Sequence, residues 1–286
     1  MIDNIILYED RDILVMNKKA GIASESKRIG QIDMLTLARK HCSRGTDPSG
    51  IPPAFPALIH RLDQPVAGIL LLAKNKKSAA ILSEELRKGG MQKEYLALCQ
   101  ILPQGAGLVG EGKTVTLVDY LEKAPGSNLS RITNAGTKGA KKAVLSFQRE
   151  DILSDEAKYS LSVWFPGLSR SFSPSSNENG KAMPDQDKIG NEPGPDIAAP
   201  FLREEALALV RINLKTGRHH QIRLQLSHAG LPILGDRKYG IDREDSVLPA
   251  PSGLCLTACG LSFTHPSSNE RMNFTLPFTS PIQYNN

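Results

Sequence analysis

The sequence predicts an α+β domain built on a largely antiparallel sheet with helices on its flanks. Short apolar or alternating segments, which are typical of strands, lie at residues 69–73, 93–102, 142–150, 158–165 and 205–214. Two strands joined by a tight turn are indicated over residues 5–18, and a closing hairpin over residues 254–264 and 271–276. With 286 residues and 40% apolar content, the chain can bury one sizeable core. We therefore expect residues 1–286 to form a single domain.

Two segments have the spacing and the end signals of helices. At residues 33–40, Asp33 can cap the first turn, and apolar residues then recur on one side. Residues 78–88 are amphipathic and are followed by Gly89, a common helix stop. We expect both segments to be helices.

Residues 219–229 fit two kinds of secondary structure. Ile222, Leu224 and Leu226 alternate as they would in a strand. Ile222, Leu226 and Ala229 also recur at the spacing of one helix face. The residues alone leave both alternatives open.

Residues 166–203 differ in composition from the rest of the chain. They are rich in Ser, Pro, Asn, Gly and Asp and contain few large apolar side chains. Such a segment cannot bury enough surface to offset the entropy lost on ordering it, and a loop this long is unusual inside a domain. We expect a disordered or flexible insertion between two strands; a domain boundary is the alternative.

The distribution of charge is more informative than its total. The net charge is +5 and the pI is near 9.0, values that many ordinary enzymes share. Residues 211–243, however, contain seven Lys or Arg and only two acids, Asp236 and Asp242. Such a patch is typical of a surface that faces phosphates; the alternative is an ordinary solvated basic face.

The cysteine content and the hydropathy of the chain indicate the cellular compartment in which the protein acts. Four cysteines in a chain of this length give no disulfide framework. Cys255 and Cys259 lie in an apolar stretch without a second pair, which favours buried thiols over a metal site. No apolar run reaches the roughly 18 residues of a membrane span. We expect a soluble cytoplasmic protein that does not associate with membranes.

A glycine-rich segment at residues 107–114 matches the phosphate-binding pattern G-x-x-x-x-G-K-T. A true phosphate-binding loop opens a helix, whose N-terminus helps to hold the phosphates. Residues 115–120 are instead rich in β-forming residues. We expect a connection between strands. A nucleotide hydrolase is the alternative, and it requires a helix after Lys113 and binding of ATP with Mg²⁺.

The most informative stretch is the tetrad His-Arg-Leu-Asp at residues 60–63, shortly before the apolar strand at 69–73. In an extended chain Arg61 and Asp63 share one face, and Leu62 points to the other. This arrangement predicts that a carboxylate and a guanidinium, held on a rigid element, point together into a cleft.

A second stretch, L-K-T-G-R-H-H-Q-I-R at residues 214–223, leads to G-D-R-K-Y-G at 235–240. Together with H-R-L-D-Q-P-V-A-G at residues 60–68, it resembles the RluA-type pseudouridine synthases. The marks of that family are H-R-L-D-x-x-T-S-G followed by T-G-R-x-H-Q-I-R. Residues 6–18 and 93–98 also resemble the family, so the resemblance covers most of the chain except the insertion.

The resemblance implies a bent sheet with a central cleft, and a helix in the ambiguous segment at 219–229. It also implies a reaction on RNA. The enzyme breaks the C1′–N1 glycosidic bond of a uridine, rotates the uracil and rejoins it through C5. This chemistry requires neither a redox step nor a metal, so we expect no cofactor.

The resemblance further implies three catalytic residues. Asp63 corresponds to the catalytic carboxylate, acting either as a nucleophile at the sugar or as a base on it. Arg218 corresponds to a guanidinium that pairs with this carboxylate and keeps it ionised. Tyr95 corresponds to a tyrosine whose ring packs against the target uracil, with its hydroxyl near the reacting centre.

Two other residues have both a functional and a structural interpretation. Arg61 matches an arginine that fills the space vacated when the uridine leaves its stack, a step that costs a few kcal/mol. The alternative is a salt bridge to Asp63 or to a neighbour. Ile222 can form the apolar wall of the uracil pocket, or it can be an ordinary core residue.

We expect further contacts with RNA from His60, His220, Gln221, Arg223 and Lys238. A metal site is not expected, because no carboxylate or cysteine stands at ligand spacing near the histidines. The expected partner is a structured ribosomal or transfer RNA, bound by a monomer.

The sequence departs from the family pattern in two places. Val66-Ala67 replaces the usual Thr-Ser, so any bond that those hydroxyls give to Asp63 is absent. The first strands also begin close to Met1, which leaves no room for the N-terminal S4 RNA-binding domain of many relatives. Because Asp63, Arg61 and Arg218 are present, we expect activity; a non-catalytic RNA-binding relative is the alternative.

Overall fold

The computed structural model describes residues 3–28, 30–43, 55–150, 165, 207–241 and 253–276. The expected insertion at 166–203 lies outside these residues, as does the expected strand at 158–165 apart from its last residue, Phe165, which is buried. Among the described residues, no helix combines the length and the hydropathy that crossing a membrane requires.

The described residues form three α-helices, eleven strands and two short 3₁₀ turns, at Asp3–Ile5 and Ala106–Leu108. The helices are α1 (Met34–Cys42), α2 (Lys76–Lys88) and α3 (Gln221–His228). The strands are β1 (Ile6–Glu9), β2 (Ile13–Lys18), β3 (Ala57–Leu58), β4 (Ala67–Ala73), β5 (Gln92–Gln100), β6 (Thr114–Lys123), β7 (Ser130–Thr133), β8 (Lys141–Glu150), β9 (Leu207–Leu214), β10 (Leu256–Thr264) and β11 (Arg271–Thr275).

All eleven strands belong to one sheet. Its main path runs β1-β2-β4-β10-β5-β9-β8-β6-β7, with β3 paired to β4 and β11 paired to β10. Every pairing is antiparallel except that between β4 and β10. The predicted fold class, α+β with a mainly antiparallel sheet, is confirmed.

The two predicted helices form because their end signals are satisfied. The Asp33 carboxylate accepts the main-chain N–H of Thr36 at 2.7 Å and caps α1. Helix α2 begins slightly earlier than predicted, because the side chain of Asn75 caps it by accepting the N–H of Ser78 at 2.9 Å. It ends where predicted, at Gly89, whose φ of 77° suits the left-handed conformation of glycine.

The ambiguous segment at 219–229 is a helix, as the family resemblance implied. Helix α3 buries one face that contains both apolar and polar side chains: Gln221, Ile222, Arg223, Gln225 and Leu226. The mixed face obscured the helical pattern in the sequence, since polar residues at buried positions weaken the apolar period on which such a prediction depends.

The parallel contact between β4 and β10 joins the two halves of the sheet next to the tetrad at 60–63. Gly68 pairs with Ala258 across this contact and has a φ of 121°. A Cβ at Gly68 would lie 2.2 Å from the carbonyl oxygen of Ala258, so only glycine permits this approach. The close approach places the start of β4 beside β10, and β10 in turn pairs with β5.

The glycine-rich segment at 107–114 is followed by strand β6, which begins at Thr114. The Lys113 ammonium donates to the carbonyl of Gly107 at 2.7 Å and thereby closes the turn on itself. The helix that a phosphate-binding loop requires is therefore replaced by a strand. This finding contradicts the nucleotide-hydrolase alternative and agrees with the predicted connection between strands.

Candidate active site

The two motif stretches meet in one cleft of about 930 Å³. The cleft is lined by the segment before β4, by β5, and by the loop that leads from β9 into α3. Its charged lining comprises two acids, Glu25 and Asp63, and seven basic residues: Lys27, Arg61, Arg87, Lys93, Lys215, Arg218 and Arg223. The excess of positive charge favours a polyanionic ligand.

Asp63 is presented to the cleft by an extended segment. Leu62 is buried, and its main chain is held on both sides by Ser24, whose hydroxyl accepts the Leu62 N–H at 3.0 Å and donates to the Leu62 carbonyl at 2.8 Å. The neighbouring Arg61 and Asp63 therefore point the other way. The Asp63 side chain is 29% exposed, which leaves it accessible to a ligand in the cleft.

The guanidinium next to Asp63 belongs to Arg223. Its Nη1 lies 3.4 Å from Asp63 Oδ2, while its Nε and Nη2 donate to the Asp236 carboxylate at 2.7 and 2.6 Å. Burial opposes the charge on Arg223, but the bonds to Asp236 and the charges of both carboxylates raise the pKa of Arg223 overall. The same pairing, working against burial, lowers the pKa of Asp236.

The predicted pairing of Arg218 with Asp63 is therefore wrong. Arg218 lies in the loop before α3, is exposed, and donates from Nε to the Lys142 carbonyl at 3.0 Å. Arg223 is in the first turn of α3 on its buried face, which brings its side chain to Asp63. The expected contact of Arg223 with RNA is not supported by its position, because its side chain is only 5% exposed and is bound to Asp236.

His220 also faces Asp63 instead of the RNA surface. It is buried, adopts a φ of 54° at the N-cap of α3, and places Nε2 3.7 Å from Asp63 Oδ2. Its Nδ1 lies 2.8 Å from the hydroxyl of Tyr239. Burial, opposed in part by the Asp63 charge, lowers the pKa of His220 to about 4, so the ring is neutral at pH 7. A direct phosphate contact by this buried ring is not supported.

Gln221 likewise has a structural environment. It is buried, and its Oε1 accepts from the Thr216 hydroxyl at 2.7 Å and from the Arg218 N–H at 3.0 Å. Its Nε2 donates to Gln225 at 2.9 Å. These bonds shape the loop before α3 and occupy the amide, so the expected RNA contact by Gln221 is not supported.

Tyr95 and Ile222 are brought to the same cleft from different elements. Tyr95 lies on β5, where it pairs with Ala258 of β10, and Ile222 lies in the first turn of α3. Both are 6% exposed and line the cleft. Burial and, to a smaller extent, the Asp63 charge raise the pKa of Tyr95, so its hydroxyl keeps its proton at neutral pH.

The remaining predicted RNA contacts differ in exposure. Arg61 is exposed and pairs with Glu25 at 2.7 Å, not with Asp63. Lys238 is exposed and donates to the Asn128 carbonyl at 2.7 Å. His60 faces inward: its Nε2 accepts the Leu71 N–H at 3.2 Å, and burial lowers its pKa to about 3. Arg61 and Lys238 are thus open to contact with RNA, whereas His60 lines the cleft with its Nε2 occupied by the Leu71 N–H.

Sequence reasoning missed Lys18, a buried cation behind Asp63. Its side chain is fully buried at the end of β2, and its Nζ donates to the carbonyls of Lys19, Ile22 and Gln64 at 3.1, 2.5 and 3.0 Å. Burial lowers the pKa of Lys18 to about 8, although the Asp63 charge opposes this. No pattern in the sequence distinguishes this lysine from a lysine at the exposed end of a strand.

The sequence also indicated no separate role for Tyr239 and Asp236, which were visible only as part of the G-D-R-K-Y-G block.

Outside the cleft, Asp10, Asp12 and His265 bring their ligating atoms within 4.8 Å of one another. These atoms serve hydrogen bonds within the protein. Asp10 accepts from His265 at 2.8 Å, and Asp12 accepts from Ser267 at 2.7 Å and from Ser78 at 2.8 Å. The cluster therefore ties the β1–β2 turn to the end of β10.

Comparison with known proteins agrees with the geometry. A family model described as RNA pseudouridylate synthase matches residues 12–228. The ribosomal large subunit pseudouridine synthase C of Escherichia coli O6:H1 is 30% identical over 291 residues, which cover 98% of this chain and 68% of the relative. An uncharacterised RNA pseudouridine synthase of Mycoplasma pneumoniae is 27% identical over 270 residues, which cover 94% of this chain and 65% of the relative.

Two solved human structures have a similar fold. RNA pseudouridylate synthase domain containing 4 has a TM-score of 0.59 at 18% identity, over 96% of this chain and 89% of that one. RNA pseudouridylate synthase domain containing 1 has a TM-score of 0.56 at 20% identity, over 97% and 84%. These likenesses concern the fold.

Proposed function

This chain belongs to the RNA pseudouridylate synthase family, and we propose that Asp63 is the carboxylate with which it isomerises a uridine in ribosomal or transfer RNA. The enzyme is an RNA pseudouridine synthase, an isomerase that exchanges the C1′–N1 bond of a uridine for a C1′–C5 bond. The observation that carries the role of Asp63 is its position: it is partly exposed in the basic cleft, with Arg223 Nη1 3.4 Å from Oδ2.

Two neighbours of Asp63 hold polar groups toward its carboxylate. Two groups face it, the guanidinium of Arg223 and the ring of His220. Arg223 cannot turn away, because Asp236 holds two of its nitrogens. A fixed cation beside the carboxylate fits both proposed roles of Asp63, attack on C1′ as a nucleophile and removal of a proton as a base.

Tyr95 and Ile222 are suited to bind the uracil next to Asp63. Both line the cleft and expose little surface of their own. An aromatic ring and an aliphatic side chain together form a surface on which a planar base can stack. The Tyr95 hydroxyl, whose pKa burial raises, stays neutral and can donate or accept a hydrogen bond near the reacting sugar.

Arg61 is suited to replace the uridine in its stack. Its side chain is 70% exposed at the edge of the cleft and forms an exposed ion pair with Glu25. Exposed pairs of this kind contribute little in water, so Arg61 can leave Glu25 at small cost. Its planar guanidinium can then stack between bases.

Other basic side chains are suited to contact phosphates. They are Lys27, Lys215 and Arg218 on the cleft lining and the exposed Lys238.

We further propose that the chain acts in the cytoplasm as a monomeric catalytic domain over residues 1–286, with 166–203 as an insertion. In support of a single unit, all strands of the described residues belong to one sheet, and the site lies where β5, the segment before β4 and the loop into α3 meet. The four cysteines are free thiols, as expected in a reducing compartment.

The experiment that tests this function maps pseudouridines in ribosomal and transfer RNA from cells with and without the gene. One uridine or a few should lose modification in the deletion strain and regain it when the wild-type chain is supplied. Supply of Asp63→Asn should not restore it, whereas Asp119→Asn, which alters a carboxylate on β6 outside this cleft, should. Identical pseudouridine maps with and without the gene would favour the non-catalytic RNA-binding alternative.

A further inference from the structure

We propose that Tyr239 is a positioning residue for the isomerisation, acting through His220 on Asp63. In this arrangement the Tyr239 hydroxyl holds the His220 ring in the tautomer that carries its proton on Nε2, so that an N–H faces the carboxylate. The inference rests on the proposed role of Asp63 and adds to it a second, neutral donor whose orientation is fixed by hydrogen bonding.

The hydrogen bonds of the Tyr239 hydroxyl favour one direction for this donor. The main-chain N–H of Ser130 donates to the Tyr239 oxygen at 2.7 Å, and His220 Nδ1 lies 2.8 Å from the same oxygen. A main-chain N–H can only donate, so the tyrosine oxygen accepts there. The Ser130 hydroxyl, which also interacts with Tyr239, donates its hydrogen to the His219 carbonyl at 2.9 Å, which leaves the tyrosine hydrogen available to His220 Nδ1. A neutral imidazole that accepts at Nδ1 carries its proton on Nε2.

The His220 ring has little freedom to adopt another orientation. It is stacked on the His219 ring, with centroids 3.7 Å apart, and meets the edge of the Tyr239 ring at 5.5 Å. Its side chain is 5% exposed. The fixed ring therefore presents Nε2 to Asp63 Oδ2 at 3.7 Å, beyond a direct hydrogen bond in this state but close enough to orient the carboxylate electrostatically. Catalytic hydrogen bonds often tighten only when substrate is bound.

The charged neighbours explain why the tautomer matters. Four charged or titratable neighbours affect the pKa of His220: Asp63 raises it, whereas His219, Arg223 and Lys238 lower it. Burial, together with the cations, opposes protonation of the ring, so at neutral pH His220 can offer Asp63 a proton only as the Nε2–H tautomer. In the other tautomer a nitrogen lone pair would face the carboxylate and repel it. Among the described residues, the Tyr239 hydroxyl is the group that contacts Nδ1 and can select between the two.

Tyr239 is itself anchored on two sides. Its ring lies 5.4 Å from the Arg223 guanidinium, so one residue contacts both groups that flank Asp63. The β6–β7 hairpin, which supplies Ser130, is tied to the same place, since Asn128 lies 3.0 Å from the His219 ring and accepts from Lys238 at 2.7 Å. The hydroxyl is thus held by rigid elements, as a positioning group must be.

The first test is the ¹⁵N NMR pattern of the His220 ring in the full chain, identified among the six histidines by its loss in His220→Gln. The wild type at pH 7 should show a protonated Nε2 and an unprotonated Nδ1. In Tyr239→Phe, which keeps the ring but removes the hydroxyl, the pattern should shift toward a mixture of tautomers. A wild-type ring protonated on Nδ1, or an unchanged pattern in Tyr239→Phe, would overturn the proposal.

The second test is kinetic and uses the RNA identified by mapping. Tyr239→Phe should lower kcat about five- to tenfold, the effect of one hydrogen bond, with KM for RNA unchanged. Tyr8→Phe is the matched control, because it removes a hydroxyl bonded to Asp10 at 3.1 Å outside the cleft, and it should keep wild-type kcat. An unchanged kcat in Tyr239→Phe would contradict the positioning role.

A double-mutant cycle separates this role from general stability. A glutamine at position 220 has no tautomers, so Tyr239→Phe should cost much less in the His220→Gln background than in the wild type. Equal costs in both backgrounds would overturn the proposal. Asp63→Asn is measured alongside: activity in that variant would refute the proposed function itself, whereas failure of the cycle would refute only the role of Tyr239.

Discussion

Arg223 Nη1 and Asp63 Oδ2 lie 3.4 Å apart although 160 residues separate them in the chain. The contact joins the two motif stretches of the sequence, and Asp236 supports it by holding the other nitrogens of the guanidinium. Arg223 therefore forms a buried ion pair with Asp236 and also places a positive charge beside Asp63. Substitutions of Arg223 and of Arg218 can be compared to measure what this position contributes.

Replacing Arg223 should damage the fold, whereas replacing Arg218 should not. Arg223→Met leaves the Asp236 carboxylate, 1% exposed, without its cation, and breaking a buried ion pair costs about 3–5 kcal/mol. Arg218→Met changes an exposed side chain and should alter the free energy of unfolding by no more than about 0.5 kcal/mol. Urea denaturation of both variants is the measurement. Equal losses would contradict the assignment of the buried pair to Arg223.

The buried lysine behind Asp63 should make stability depend on pH in the alkaline range. Burial lowers the pKa of Lys18 from 10.5 to about 8 in the folded protein. Between these two values the unfolded chain binds more protons, so stability rises with pH. Relative to Lys18→Met, the wild type should gain up to about 3 kcal/mol between pH 8 and pH 10.5. Denaturation series at several pH values test this, and parallel curves for the two proteins would rule it out.

Arg61 should matter most when the RNA holds the uridine in a stack. If its guanidinium fills the vacated space, Arg61→Ala should slow turnover on structured RNA by an amount comparable to the unstacking cost, a few kcal/mol. The deficit should be much smaller on an RNA whose target uridine is already unstacked. Turnover on the two RNAs is the measurement, and equal losses would leave Arg61 as a phosphate contact or as a partner of Glu25.

Lys238→Ala is the control for the Arg61 experiment, because Lys238 is exposed and is proposed to contact only phosphate. Its loss should lower the slope of log binding constant against log salt by about one. It should also weaken binding equally for the structured and the unstacked RNA, since a phosphate contact does not depend on the stacking of the base.

The sequence predicted most of the fold because its signals are local. Asp33 and Gly89 mark helix ends by bonds and dihedral angles within a few residues. The run Leu70–Ala73 is buried throughout, and a short apolar run of this kind indicates a central strand. The position of Asp63 followed from the extended tetrad, with Leu62 buried on the opposite side.

The partner of Asp63 could not be predicted in the same way. Whether Arg218 or Arg223 reaches it depends on where α3 begins, and the residues at 219–229 fit a helix and a strand equally. The burial of Lys18 depends on carbonyls from two loops, one of them 46 residues away at Gln64. Such long-range contacts are fixed by the tertiary fold and leave no periodic trace in the sequence.

The most direct test of the central claim is the rate of pseudouridine formation by purified Asp63→Asn. The substitution keeps the shape of the side chain and removes the charge, so the melting temperature and the affinity for RNA should stay close to those of the wild type. We expect that this variant forms no detectable pseudouridine in an RNA that the wild type modifies. Product formation at a rate near that of the wild type would contradict it and remove Asp63 from the mechanism.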